Sequence, residues 1–404
     1  MINPWRGLSE LPRQMWILFA VTLCNRMGTM VLPFLVLYLT RKLAYSAADA
    51  GLVLIAYGAG AIVTSPLSGK LCDHIGPVRV MKWTLWLSGV MLLIIPLTQN
   101  IFVITLLVFI WAIFGEAFRP ASLTIISDVV VAEQRKSAFA LSRLAVNLGM
   151  SIGPVIGGFL TTISYVAIFL VDGMTSIIAG IVLAISGLQT SHHQKALHTA
   201  LEVTHSVATR TSVLSDVRLL YFLIAMIPVE LVLFQTQAAM PLYLVGDLKF
   251  SEALYGGLMA INTVMIIFLE VPLTLAIEQW SNRLALGLGA LLFALGFGAL
   301  AVTSSIGGVA LTIAIWTFGE MVLFPGASAY MAEIAPPEKR GAYMGLYLMT
   351  FSIAFAIAPW IGTATLERFG ANTLWIATFV GGCVSAFMMM GLRHRTRLVE
   401  QKVN

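Results

Sequence analysis

The sequence predicts an all-α membrane protein of twelve transmembrane helices in two pseudo-symmetric six-helix bundles. Three observations carry that expectation. Of 404 residues, 59% are hydrophobic and only 11% charged, where a soluble domain carries about 25% charged residues. Apolar runs recur along the whole chain, each close to the roughly 20 residues that cross ~30 Å of hydrocarbon as a helix. One long polar stretch, residues 188–217, divides those runs six and six.

In chain order, spans are expected near 15–39, 48–71, 81–98, 102–130, 137–161 and 165–187, then near 218–245, 252–277, 283–303, 308–334, 341–364 and 371–392. The tail 1–14 carries Arg6 and Arg13 and runs directly into a full-length span, with no small-residue cleavage site of a signal peptide. The first bundle then covers 15–187, the linker 188–217, the second bundle 218–392, and a tail 393–404 closes the chain.

Basic residues set the orientation. With both termini cytoplasmic, the inner segments hold Arg6, Arg13, Lys70, Arg79, Lys82, Arg135, Lys136, Lys195, Arg210, Arg218, Arg283, Lys339, Arg340, Arg393, Arg395, Arg397 and Lys402, seventeen of the 24 Lys and Arg. The outer segments hold four, Arg41, Lys42, Lys249 and Arg368. This asymmetry follows the positive-inside rule. It also accounts for the net charge of +5 without a nucleic-acid partner. The linker histidines His192, His193, His198 and His205 have no cysteine or clustered carboxylate beside them, so no metal site is expected. Cys24, Cys72 and Cys383 lie in or at the ends of spans and form no disulfide framework. A phosphate-binding Gly-rich loop with its Lys-Ser/Thr is missing, which argues against ATP-driven chemistry and leaves no cofactor.

The two halves repeat each other. Gly115-Glu116 matches Gly319-Glu320 at an offset of 204, and Pro120, Asp128, Arg135, Pro154 and Gly157 match Pro325, Glu333, Arg340, Pro359 and Gly362 at 205. Duplication of a six-helix unit places a binding site near midplane between the repeats.

Two motifs carry a family resemblance. The stretch GKLCDHIGPVRV, residues 69–80, is similar to the loop signature Gly-x-Leu-x-Asp-Arg-x-Gly-Arg-Lys of the major facilitator superfamily through Gly69, Leu71, Asp73 and Gly76. His74, Pro77 and Val78 replace the usual basic residues, with Arg79 as the substitute cation. The stretch NLGMSIGPVIGG, residues 147–158, resembles the antiporter signature of the fifth span through Gly149, Gly153, Pro154, Gly157 and Gly158; small residues also serve plain helix packing. The chain thus resembles that superfamily, in particular its bacterial twelve-helix drug:proton antiporter branch, over nearly its whole length. The resemblance implies alternating access, a cytoplasmic latch of Asp73 and Arg79 with Asp128 and Arg135, a location in the bacterial inner membrane and a monomer. It departs from the branch at 107–111, where the usual fourth-span arginine is missing. The first span, NRMGTMVLPFLVLYLT, also resembles the opening helix of peptide–proton symporters, but Thr22 and Asn25 stand where two glutamates are usual before Arg26.

Charges inside spans cost about 3 kcal/mol each at a helix centre, so they pair or face a wet cavity. Near midplane stand Arg26, Glu116, Arg119, Glu230 and Glu320, whereas Asp172, Arg143 and Glu270 lie toward span ends and are assigned to helix packing, loop salt bridges or solvation at the membrane edge. Glu116 and Arg119, three apart, are expected to pair on one helix face. Glu320 has Leu323 in place of that arginine, which makes Glu320 and Glu230 the leading proton carriers, with Glu116 behind them. Arg26 and Arg119 are the opposing cavity charges. Gln235, Gln237, Asn262 and Asn147 are candidates for hydrogen bonds to a small-molecule substrate, and Trp111, Trp316, Phe234 and Phe324 for an aromatic lining. The expected function is export of an amphipathic drug or metabolite in exchange for protons. A proton-coupled importer or facilitator is the alternative, and a non-transporting receptor or enzyme a remote one.

Overall fold

The computed structural model describes residues 11–131, 134–188, 213–277, 279–336 and 340–392. Among them are eleven helices long and apolar enough to cross a membrane, and no β-strand. The last helix, Arg340–Met390, has 51 residues. At 1.5 Å per residue that is roughly 76 Å, more than twice the hydrocarbon thickness. It therefore holds the eleventh and twelfth spans, and the corner between them is Gly370, whose φ of 81° suits a residue without a side chain. Twelve spans result, as the sequence predicts.

The first span is Arg13–Gly28 continued by Val31–Leu37 and a π-helical turn, Tyr38–Lys42. Pro33 cannot donate to the carbonyl four residues earlier, so the helix gives way at Thr29–Met30. Asp172 of the sixth span repairs the break: one of its oxygens accepts from the freed N–H groups of Met30 and Val31, each at 3.2 Å. Asp172 is 2% exposed. It is an internal cap joining the sixth span to the first, the packing role among those the sequence offers.

The second span, Ala47–Ile75, starts at Ser46, which accepts from the Asp49 N–H at 3.0 Å. It turns at Gly76 (φ 87°) into the third, Pro77–Ile94. The fourth is Ile101–Glu116 followed by Phe118–Val129. Pro120 leaves the Glu116 carbonyl without its helical donor, and the helix is interrupted at Ala117. The fifth and sixth are Arg135–Ile163 and Tyr165–Ile185.

The second half repeats the pattern. Its seventh span, Val217–Leu233, begins at Asp216 and passes through Phe234–Gln237 to a π-helical turn, Leu242–Asp247. The eighth, ninth and tenth are Glu252–Ala276, Asn282–Gly298 and Ile306–Ile334. The segment between spans six and seven falls mostly in 189–212, outside the described residues, and it marks one side of the bundle as the linker side.

The halves meet through the second and eleventh spans and through the fifth and eighth. Small residues set the spacing: a methyl group at Gly58 would stand 2.5 Å from the Ala356 Cα, and one at Gly158 would stand 2.5 Å from the Glu252 carbonyl oxygen. On the far side, opposite the linker, three hydrogen bonds join the halves among the described residues. Arg41 donates to the Val245 carbonyl at 2.6 Å, the Ala48 N–H donates to Glu367 at 2.9 Å, and the Tyr165 hydroxyl donates to Glu252 at 2.7 Å.

Candidate functional site

A cavity of about 320 Å³ lies between the halves, within the range of small-molecule sites. The fifth span contributes Arg143 and Asn147, the eighth Ile266 and Glu270, and the tenth Glu320, Met321, Phe324, Pro325 and Ser328. Polar groups therefore converge from both repeats on a surface that also holds an aromatic ring and apolar side chains.

Glu320 is the carboxylate at the cavity wall. Its Oε2 accepts from the Asn262 side-chain amide at 2.6 Å, and the same amide donates to Thr317 Oγ1 at 3.1 Å. Thr317 is in turn fixed by its bond to the Ile313 carbonyl at 2.7 Å. Asn262 thus holds Glu320 through a neutral donor, and among the described residues no ion pair within 4.0 Å reaches Glu320.

Glu116, the equivalent residue, is held differently from the expectation. The Tyr57 hydroxyl donates to it at 2.7 Å, and among the described residues no ion pair joins it to Arg119, which is exposed. The interruption at Ala117 breaks the regular helical repeat on which the three-residue spacing relied. Tyr57 itself is buried against Trp111 and Phe355, with ring centroids 4.9 and 5.5 Å away. Tyr57 was missed because a tyrosine in an apolar span reads as core. The one available signal is its offset: Tyr57 and Asn262 are 205 positions apart, the offset at which Pro120 matches Pro325.

Arg143 and Glu270 form a salt bridge across the gap between the halves, on the linker side of the cavity. The sequence assigns them to packing, loop salt bridges or the membrane edge; a salt bridge does form, at the cavity and not in a loop. They are cavity residues, with the Arg143 side chain 62% exposed and that of Glu270 11%. Helical position alone misled here, since depth along a span says nothing about which face meets the opposite repeat.

Arg26 lies with its guanidinium carbon 5.4 Å from the Phe118 ring centroid, and its Nε is buried without a hydrogen-bond partner. Gly149 leaves the room it occupies, since a methyl group there would overlap the Arg26 side chain. Arg26 and Glu230 stand at the same offset as Glu116 and Glu320, 204 positions, so equivalent places in the two repeats carry opposite charges. Glu230 is fully buried and accepts from the Thr350 hydroxyl at 2.9 Å. Gln235 is spent on structure: its amide donates to the Leu231 and Ala358 carbonyls at 3.0 and 3.1 Å, tying the seventh span to the eleventh. Gln237 keeps a buried, unpartnered Oε1. Neither glutamine lines the cavity.

Of the aromatic candidates, Phe324 lines the cavity, while Trp316 packs in the core against Phe293 and Phe297. Phe234 stacks edge-on with Phe351 and Phe355. In the glycine-rich fifth-span motif, Gly149, Gly153 and Gly157 face the first span, whereas Gly158 and Pro154 face the eighth. The motif therefore packs one helix against both repeats. In the loop motif, Gly76 supplies the turn and Arg79 is exposed. The side chains of Asp73 and Arg135, and all side-chain surroundings at Gly69, lie outside what is described.

The chain matches the family model described as Major Facilitator Superfamily over residues 18–257 and again over 232–403. The chain belongs to this superfamily. It is a transporter rather than an enzyme. It is 26% identical over 403 residues to the uncharacterized MFS-type transporter YqjV of Bacillus subtilis (strain 168), covering 97% of this chain and 94% of that protein. It is 22% identical over 392 residues to a Na(+), Li(+), K(+)/H(+) antiporter of Planococcus maritimus, covering 90% and 92%. A shorter match, 28% over 150 residues, covers 37% of this chain and 38% of the quinolone resistance protein NorA of Staphylococcus aureus (strain MRSA252). Among solved structures, a peptide transporter POT in complex with sulfate superposes with a TM-score of 0.76 at 16% identity, over 97% of this chain and 98% of that one. That likeness concerns the fold.

Proposed function

We propose that this transporter exports an amphipathic small molecule in exchange for protons, by alternating access of the central cavity. The observation that carries the reading is Glu320, a carboxylate at the cavity wall held by the neutral amide of Asn262. Such a group binds a proton or a cationic ligand group in turn, since among the described residues no cation lies within 4.0 Å of it. Phe324, Met321 and Ile266 supply an apolar surface, and Asn147 and Ser328 supply hydrogen bonds. The antiport of the Planococcus relative and the drug resistance named for NorA support exchange and export, respectively.

With both termini cytoplasmic, the linker side is the inside, and this conformation has its outer side shut. Substrate then enters from the inside and displaces the proton from Glu320. The halves rock, the far-side hydrogen bonds part, and a proton from outside displaces the substrate. The Arg143–Glu270 bridge crosses the inner opening and must part and re-form in each cycle.

Reconstitution in proteoliposomes with an internal pH dye tests this reading. A panel of lipophilic amines and neutral drugs is expected to include compounds that drive proton release when moved against an imposed pH gradient. Proton-independent movement of every transported compound would remove the proton from the mechanism. A response to sodium or potassium gradients instead would assign the Glu320–Asn262–Thr317 oxygens to a metal cation.

A further inference from the structure

The eighth and tenth spans run in the same direction and carry matching stripes. On the tenth, Glu320, Phe324 and Ser328 recur every four residues and line the cavity. On the eighth, Ile266 and Glu270 line it, and Asn262, one turn earlier, holds Glu320 at 2.6 Å. Residues four apart share a helix face, so that bond sets Ile266 level with Phe324 and Glu270 level with Ser328. The cavity is therefore a slot with a carboxylate at each end. The eight residues from Asn262 to Glu270 measure roughly 12 Å along a helix. Between the ends, Ile266, Met321 and Phe324 offer apolar surface, and the volume of about 320 Å³ has room for an extended chain or a ring.

The two ends differ in what already occupies them. Glu320 meets a neutral amide, and among the described residues no cation lies within 4.0 Å of it. Glu270 is bridged by Arg143 of the other half, whose side chain is 62% exposed. An ion pair with a solvated partner is worth about 0–1 kcal/mol, so a ligand cation held at the same place can take Arg143's position. Glu320 does the holding. Once one cationic group sits there, a second group on the same molecule meets Glu270 at an effective concentration on the order of millimolar. Arg143 then turns toward water with its charge solvated.

We propose that the cavity is a two-headed site for an amphipathic dication, an apolar body with an ammonium group at each end, and that the second ammonium takes Glu270 from Arg143. This rests on the substrate-binding role given to Glu320 above. Binding and parting of the bridge between the fifth and eighth spans are then one event.

Calorimetric titration of the purified full-length protein at neutral pH tests this with two ligands of equal chain length, octylamine and octane-1,8-diamine. The diamine is expected to bind roughly tenfold more tightly. Butane-1,4-diamine, too short to reach both carboxylates, is expected to show no such advantage over butylamine. Glu270→Gln should cut the eight-carbon advantage to about twofold or less, and Arg143→Gln, which removes the competitor, should raise it about threefold. Equal affinities in the wild type, or an advantage that survives Glu270→Gln, would overturn the proposal. Should Glu270→Gln fold poorly, Arg143→Gln decides alone, and an unchanged or smaller advantage there would overturn it. These titrations impose no gradient. A diamine advantage in a protein that moves no protons would keep the two-headed site and reject the exchange, whereas proton-coupled export without any diamine advantage would do the reverse.

Discussion

Tyr57 and Asn262 occupy equivalent positions in the two repeats and do the same thing: each donates a hydrogen bond to the glutamate of its own half's Gly-Glu pair, at 2.7 Å to Glu116 and 2.6 Å to Glu320. The duplication has kept the arrangement and changed the donor. A phenol buried among aromatic rings holds Glu116, whereas an amide holds Glu320 at the cavity wall.

Substitution should separate the two carboxylates. Glu320→Gln keeps a hydrogen bond to Asn262 and is expected to exchange substrate across the membrane while losing substrate-driven proton flux. Tyr57→Phe is expected to leave coupling in place and to lower stability by about 1 kcal/mol, the cost of leaving a partly buried acceptor without its donor. The check is proton flux and thermal unfolding measured on both proteins. Coupled flux in Glu320→Gln would transfer the coupling role away from the tenth span.

The Arg143–Glu270 bridge ties the fifth span to the eighth on the linker side of the cavity. Arg143→Ala is expected to cost only about 1 kcal/mol of stability, because the arginine is largely exposed, yet to raise access of a permeant thiol reagent to a cysteine placed at Asn147. The exchanged pair Arg143→Glu with Glu270→Arg should restore wild-type access. Failure of the exchange to rescue would show that one of the two charges acts alone.

The far side is held by a few hydrogen bonds, each worth about 0.5–1.5 kcal/mol, or more when charge-assisted. Combining Tyr165→Phe with Glu367→Gln removes one hydrogen bond and weakens another. The double variant should shift the population toward the outward-open form by roughly tenfold. Distances between spin labels on the first and seventh spans at their far ends report the shift. An unchanged distance distribution would mean that the small-residue contacts, and not these bonds, keep that side closed.

Asp216 sets a pH dependence at the linker side. Partial burial pushes its pKa up, but hydrogen bonds from the Arg218 side chain, Tyr343 and the Arg218 N–H outweigh that and bring it down to about 2. A carboxylate whose folded pKa lies below its unfolded value of about 3.9 stabilises the fold above that value. The contribution is lost as pH falls toward 2. Asp216→Ala should therefore lower the melting temperature at neutral pH, with about 1 kcal/mol from the helix cap alone, and the gap from wild type should narrow as pH falls toward 2. A gap constant from pH 7 to pH 2 would mean that the carboxylate charge contributes nothing.

Much of this was legible in the residues. Span number follows from hydropathy, because hydrocarbon thickness fixes helix length. The repeat was readable from Gly115-Glu116 and Gly319-Glu320 since duplication preserves order. The partners of those glutamates were not. Which faces of the second and eighth spans turn toward the fourth and tenth depends on packing between helices, and a helical wheel of uniformly apolar residues hides it. The same limit concealed Arg143 and Glu270, which meet only because the fifth and eighth spans cross. The capping by Asp172 is hidden for a related reason: the break at Thr29–Met30 exposes N–H groups whose position becomes known only once the sixth span is set beside it.

The closed far side and the cavity between the halves also determine how membrane voltage acts on the transporter. In the proposed orientation, water in the cavity shares the potential of the inside, and the voltage falls across the sealed outer portion. When the halves rock, the drop passes to the opposite portion, and the cavity takes the outside potential. A charge at its wall thus crosses the field without moving far, at about 2.3 kcal/mol per charge per 100 mV. For Glu320 without its proton, an inside-negative voltage favours the outward-facing form, where a proton is met. Once neutralised, the site no longer feels the field and returns. In the proposed cycle the voltage therefore works on the outward, substrate-carrying half when the substrate carries no charge.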